Sequence, residues 1–213
     1  MDAVTPATPE EVHAAARALE EAEPLEVLRW GVRRFGHSLV LACSFQAEDI
    51  VLVEKLCRLM ERPRVFYLDT GLLFPETYAL RDAVQARFPV ELVRCAPPLT
   101  LEEQEARWGP RLWERDPDRC CTLRKVAALE QALAGCAAWV TGIRREQSPT
   151  RAQTPVVEWD HRFGRAKLNP LARWTWDQVR AYVAERDLPH HPLYERGYTS
   201  IGCWPCTSPT LPG

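Results

Sequence analysis

Residues Ser38–Met60 read SLVLACSFQAEDIVLVEKLCRLM. The first part, SLVLAC (Ser38–Cys43), is a short apolar run bounded by a polar turn, the pattern of a buried strand. SFQAED follows as the turn, and Ile50–Met60 has the length and charge spacing of a helix. Outward from this unit the pattern repeats. RVFYLDT (Arg64–Thr70) reads as a strand and PETYALRDAVQARF as a helix with Pro75 in its first turn. VELVRCA then supplies another strand. Strand–helix–strand–helix–strand in about sixty residues predicts an α/β fold, an open and mostly parallel sheet flanked by helices.

The remainder extends this plan. Residues 1–9 carry two prolines and small residues and are expected to lack regular structure. Glu10–Glu23 and Leu25–Phe35 read as two helices split by Pro24 and ending near Gly36. After Pro98 the chain turns helical to Gly109, and DRCCTLRKVAALEQAL (Asp118–Leu133) reads as one helix. AAWVTGI (Ala137–Ile143) is the fourth strand, PVVEWD and GRAKLNPL a hairpin or two edge strands, and Thr175–Asp187 a helix capped by Thr175. No repeat, linker or low-complexity block interrupts the chain. One domain is expected, with residues 1–36 as a helical segment packed on a core of residues 37–213.

Bulk composition narrows the function. With 213 residues the chain can bury a core without covalent staples. A net charge of −2 gives no nucleic-acid or membrane surface, so an anionic ligand must be held by local cations. No stretch approaches the ~20 apolar residues of a membrane span. The acidic start lacks a secretory pattern, which predicts a cytoplasmic protein. In that compartment the eight cysteines are core residues, reactive thiols or metal ligands rather than a disulfide framework.

Ligands of open parallel sheets bind beyond the carboxyl ends of the strands. Three predicted ends carry polar clusters: CSFQAED, LDTG and TGIRREQS. The first leads into a helix N-terminus that attracts phosphate, with Ser44 as an added hydroxyl donor. Asp69, Thr70 and Gly71 close the second. Arg144, Arg145 and Arg151 follow the third, and arginine suits bidentate phosphate or sulfate recognition.

Cys120 and Cys121 are adjacent, and a C-x-x-C pair, Cys203 and Cys206, lies far downstream. Together they could supply four thiolates to a metal. Zinc ligands usually stand two to four residues apart, which contiguous cysteines fit poorly. A [4Fe–4S] cube spreads its irons, so neighbouring cysteines can reach different ones. Two unrelated pairs of buried thiols remain the alternative. Lys125, four residues after Cys121, lies near the same helix face and could offset thiolate charge while holding an anion. Thr122 and Thr207 could donate hydrogen bonds to the sulfurs. Cys43, Cys57, Cys95 and Cys136 read as structural. His190 and His191 read as exposed loop residues.

The order ACSFQAEDIVL, YLDTGLLFPETY, CCTLRKV, WVTGIRREQSPTR, KLNPLARWT and GYTSIGCWPCT resembles the adenylyl-sulfate/phosphoadenylyl-sulfate reductase family of assimilatory sulfate reduction. The resemblance implies a PP-loop fold related to that of ATP-dependent adenylating enzymes. Those relatives carry a Ser-Gly-Gly loop where this chain has Ser44-Phe45-Gln46, which argues against the adenylating-ligase reading. It implies a [4Fe–4S] cluster on Cys120, Cys121, Cys203 and Cys206, and adenylyl sulfate as substrate. Phosphoadenylyl sulfate, or both nucleotides, is the alternative. A zinc-stabilised non-catalytic nucleotide-binding module is the reading from a different class. In the implied reaction, adenylyl sulfate is reduced to sulfite and AMP through an S-sulfocysteine, with thioredoxin (or glutaredoxin) as thiol donor. Ser44, Arg124, Lys125, Arg144 and Arg145 would contact sulfate and phosphate, and Asp69, Thr70 and Gly71 would lie near the adenosine. Lys125 would also act electrostatically in catalysis. Homo-oligomers are common in the family. Its nucleophile stands in a Glu-Cys-Gly-(Leu/Ile)-His motif on a C-terminal tail, and none of the eight cysteines here fits that motif. The expectation is a nucleophile beyond Gly213, and a chain that binds nucleotide and cluster but does not turn over as it stands.

Overall fold

The computed structural model describes residues 6–210, so the expectation for residues 1–5 lies outside the described residues. Two helices come first, α1 (Pro9–Leu19) and α2 (Pro24–Phe35). Each opens on a proline, which lacks the N–H that a first turn leaves unpaired. Thr8 caps α1 by accepting from the Glu11 N–H at 3.2 Å.

The repeating unit follows as β1 (Leu39–Ala42), α3 (Ala47–Cys57), β2 (Arg64–Leu68), α4 (Pro75–Arg87) and β3 (Glu91–Cys95). Helix α3 starts three residues earlier than its apolar run suggests, because Ala47, Glu48 and Asp49 form its first turn. The polar turn before it shrinks to residues 43–46. Next come α5 (Leu101–Trp108), α6 (Leu112–Arg115) and α7 (Pro117–Cys121). A capping box starts α5, Thr100 accepting from the Glu103 N–H and the Glu103 carboxylate accepting from the Thr100 N–H.

The helix expected over Asp118–Leu133 is not uniform. Thr122–Val126 forms a π-turn between α7 and α8 (Ala127–Leu133), where the Ala127 N–H donates to Thr122 O. One residue is inserted into the helical ladder there, a feature frequent at functional sites. Strand β4 (Ala138–Val140), the hairpin β5 (Val157–Asp160) with β6 (Arg165–Leu168), and α9 (Trp176–Glu185) with its Thr175 capping box complete the elements.

The sheet runs β3-β2-β1-β4-β6-β5, parallel except for the β5–β6 hairpin. Both faces are covered, as a parallel sheet requires. Leu39 and Leu41 of β1 enter the larger core with Val12, Leu28, Val51, Val84 and Val179 of α1, α2, α3, α4 and α9. Val40 faces the other way, against Leu133, Cys136 and Trp139. The chain runs outward from β1 to β3 and then returns to place β4 on the other side of β1. The β1–β4 crevice is therefore the topological switch point, where such sheets bind ligands.

Candidate active site

Three strand ends meet at this edge. After β1, Phe45 takes a left-handed conformation (φ 62°) although it is not glycine, and its ring is buried. That backbone is uncommon for a bulky residue and turns the chain sharply between Ser44 and α3. The Ser44 N–H and Oγ–H both donate to Asp49 Oδ2, at 2.6 and 2.7 Å. Ser44 is exposed at the crevice, but its two donors are held by this internal carboxylate rather than left open.

After β2, Asp69 is buried with three partners. Its Oδ1 accepts from the Gly71 N–H (3.0 Å) and Tyr78 Oη (2.7 Å), and its Oδ2 accepts from Arg94 Nε (2.6 Å). Burial works to raise this carboxyl, but the bonds from Tyr78, Arg94 and Gly71 outweigh it and hold the group below its ordinary value. Gly71 supplies the left-handed turn (φ 71°) that brings its N–H back onto Asp69. Thr70 Oγ1 lies 3.2 Å from Cys203 Sγ and accepts from the Leu72 N–H.

After β4, Arg144, expected as an anion contact, has partners within the protein. Its guanidinium is buried, with Nε on Glu48 Oε1 at 2.8 Å and a terminal nitrogen on Glu146 at 2.6 Å. Gln147 adds a bond to the same Glu48 oxygen at 3.1 Å. Arg145 binds Thr154 O and pairs with Glu20 of the α1–α2 turn. Arg124, also buried, holds Thr70 O, Leu99 O and Gln104 Oε1. These three arginines hold backbone loops and acids together. Lys125 is half-buried and has no hydrogen bond or ion-pair partner among the described residues.

The cysteine pairs meet beside the β2 end. Cys203 forms an antiparallel bridge with Leu73, and the Trp204 N–H donates to Leu72 O at 2.8 Å. Cys120 and Cys203 are buried in one apolar cluster with Leu72 and Leu112, while Cys121 and Cys206 are exposed. Burial pushes the Cys120 thiol up, with Cys121 and Cys203 adding to the effect. Burial also raises Cys206, helped by Cys203 and Cys121 and opposed by Lys125. Cys120 thus feels the charges of Cys121 and Cys203, and Cys206 those of Cys203 and Cys121. Among the described residues no three His, Cys, Asp or Glu side chains converge on a single-ion site.

The partners of these sulfurs differ from those expected. Thr122 Oγ1 donates to Asp118 O and Thr207 Oγ1 to Cys203 O, so both hydroxyls serve the backbone. Gln104, fully buried, approaches Cys120 Sγ at 4.0 Å, and Thr70 reaches Cys203. Nothing in the local pattern around Gln104 marked it, because its contact depends on how α5 docks. His191 is also buried, against the expectation of an exposed loop: Nδ1 accepts from the Leu193 N–H and Nε2 lies 3.0 Å from Thr77 Oγ1.

A mostly parallel sheet with a strand–turn–helix at its switch point and polar groups at the neighbouring strand ends defines an open α/β protein with its ligand crevice at that point. The chain belongs to the phosphoadenosine phosphosulfate reductase domain family, which matches residues 38–209. It is similar to the phosphoadenosine 5'-phosphosulfate reductase of Gloeobacter violaceus, at 50% identity over 93% of this chain and 83% of that one. The adenosine 5'-phosphosulfate reductase of Geobacillus kaustophilus is 47% identical over 87% of this chain and 79% of its own length. Among solved structures, the phosphoadenylyl-sulfate reductase of Candida auris, a phosphate complex, superposes with a TM-score of 0.82 at 30% identity, covering 96% and 99% of the two chains. FMN adenylyltransferase of Candida glabrata shares the fold, with a TM-score of 0.64 at 15% identity over 95% of this chain and 68% of that one. No helix of the described residues is long and apolar enough to cross a membrane.

Proposed function

We propose that this chain is an adenylyl-sulfate reductase of sulfate assimilation that uses a [4Fe–4S] cluster and a thioredoxin-type thiol donor. The observation that carries the cluster reading is the docking of Cys203–Cys206 on the Leu72–Leu73 loop, next to Cys120 and Cys121. Contiguous Cys120 and Cys121 beside the Cys203–Cys206 pair suit a cluster that spreads its irons better than a single tetrahedral ion. Cys120, Cys121, Cys203 and Cys206 would hold it, and it would supply a fixed local charge. Thr70 and Gln104 stand where they can donate to two of the sulfurs.

The nucleotide lies across the carboxyl ends of β1, β2 and β4 in this reading. Lys125, without an acidic partner among the described residues, is the cation that faces a sulfate group. The attacking group in this reading is a cysteine thiolate. It displaces AMP from the sulfur with the S–O bonding pair, giving S-sulfocysteine. A thiolate of the donor then attacks the cysteine sulfur, sulfite leaves with the S–S bonding pair, and a second donor thiol resolves the mixed disulfide.

The Gloeobacter relative's name keeps phosphoadenylyl sulfate as a second substrate reading. Iron and acid-labile sulfide in protein isolated without oxygen test the cluster. Competition between the two nucleotides for binding tests the substrate. About four of each element per chain and tighter binding of adenylyl sulfate are expected. A folded protein that binds neither nucleotide would overturn the reading.

A further inference from the structure

Asp49 stands in the β1–β4 crevice and has no part in the reading above. Its carboxylate is buried, and Oδ2 alone takes both the N–H and the hydroxyl of Ser44, at 2.6 and 2.7 Å. Gln46 Nε2 donates to the same Ser44 hydroxyl at 3.2 Å, and Gln46 Oε1 accepts from the Ile201 N–H at 3.4 Å. Gly142, just past β4, closes the other side. A Cβ there would lie 2.9 Å from Glu48 Cβ and collide with Asp49 Oδ1. An internal negative charge therefore occupies the two donors that the loop after β1 presents at the switch point.

Resting on the nucleotide reading above, we infer that Asp49 couples ligand binding to uptake of a proton. On the alkaline side of neutrality the carboxylate is ionised and shared with Ser44 before the ligand binds, and takes one proton from solvent when the doubly negative phosphosulfate arrives. The Ser44 donors are then no longer opposed by a full charge.

The surroundings favour that exchange. Burial pushes the Asp49 carboxyl up to about 7, against the hydrogen bonds from Ser44 and Gln46, and Glu48 on the same helix raises it further. From the other elements, Cys43 at the end of β1 and Tyr194 of the C-terminal segment face it; burial raises both, and the charge of Asp49 adds to that. Arg144, the cation of this corner, is bonded to Glu48 and Glu146 instead. A carboxylate so placed, with no cation bonded to it among the described residues, gains a proton readily when a second anion enters.

The test is calorimetry of adenylyl sulfate binding between about pH 6 and 8, in buffers of different ionisation enthalpy, bracketing the value of about 7. Adenylyl sulfate has no group of its own that titrates there. Uptake approaching one proton per nucleotide is expected at the alkaline end, with Kd rising toward about tenfold per pH unit. Asp49→Asn should bind without uptake and with a flat profile, whereas Cys57→Ser should keep the uptake. Should Asp49→Asn fail to fold, infrared difference spectra of the unmutated protein with isotope-labelled aspartate give a second readout. A protonated-carboxyl band appearing on binding supports the inference, and its absence overturns it. Binding without proton uptake, or uptake unchanged in Asp49→Asn, removes this inference alone. Absence of binding at every pH removes the nucleotide reading as well.

Discussion

Replacing Arg144 by methionine separates a structural arginine from a ligand-binding one. Arg144 and Glu48 are 7% and 5% exposed in their side chains and bonded at 2.8 Å. Without the guanidinium, Glu48 keeps a single neutral donor, Gln147. Breaking one partner out of a buried pair costs about 3–5 kcal/mol, mostly because the remaining charge stays buried. The second contact, to Glu146, is half exposed at 53% and adds less than about 1 kcal/mol. In a chain of this size that loss lowers Tm by about 6–20 °C. Urea denaturation monitored by circular dichroism measures it. Adding Glu48→Gln should recover part of the loss, because the double variant no longer buries an unpaired acid. An unchanged midpoint combined with weakened nucleotide binding would refute this account. It would restore Arg144 as an anion contact, as the sequence suggests.

Other expectations follow from the same contacts. Gly142→Ala should destabilise by about 1–3 kcal/mol, because its methyl group meets Glu48 Cβ within a buried corner; a denaturant midpoint checks it. Burial holds His191 below its ordinary 6.5, so the folded state binds fewer protons than the unfolded one. Stability present above that pH is then lost as pH falls through it, and His191→Asn should flatten the loss in urea midpoints taken at several pH values. Cys203→Ser should abolish bound iron and sulfide in anaerobically isolated protein, whereas Cys57→Ser should leave both intact. Equal iron in the two variants would disconnect Cys203 from the cluster.

The elements themselves were legible because their signals are local. Alternating short apolar runs and amphipathic helices specify β1 to β4, and Thr175 by its hydroxyl and Pro75 by its ring mark helix starts locally. The π-turn at Thr122–Val126 was not legible, since a shift from four- to five-residue bonding leaves no mark in hydrophobic periodicity. His191 misled for a related reason. Its burial depends on Thr77 and Leu193 closing over it, and Thr77 lies on α4, remote in sequence.

The amino-acid sequence by itself determined the parallel α/β plan, the polar strand ends and the two cysteine pairs, because pattern and spacing are properties of neighbouring residues. Only the tertiary structure decided which charges face the crevice. Arg124, Arg144 and Arg145 all looked like anion ligands, yet each is held by a carbonyl or acid from another segment, at Thr70, Glu48 and Glu20. Lys125 met no such partner among the described residues, and Asp49 was brought under Ser44 by the left-handed turn at Phe45. A side chain's charge is written in the sequence. Whether that charge is already neutralised depends on what the fold brings within hydrogen-bond distance.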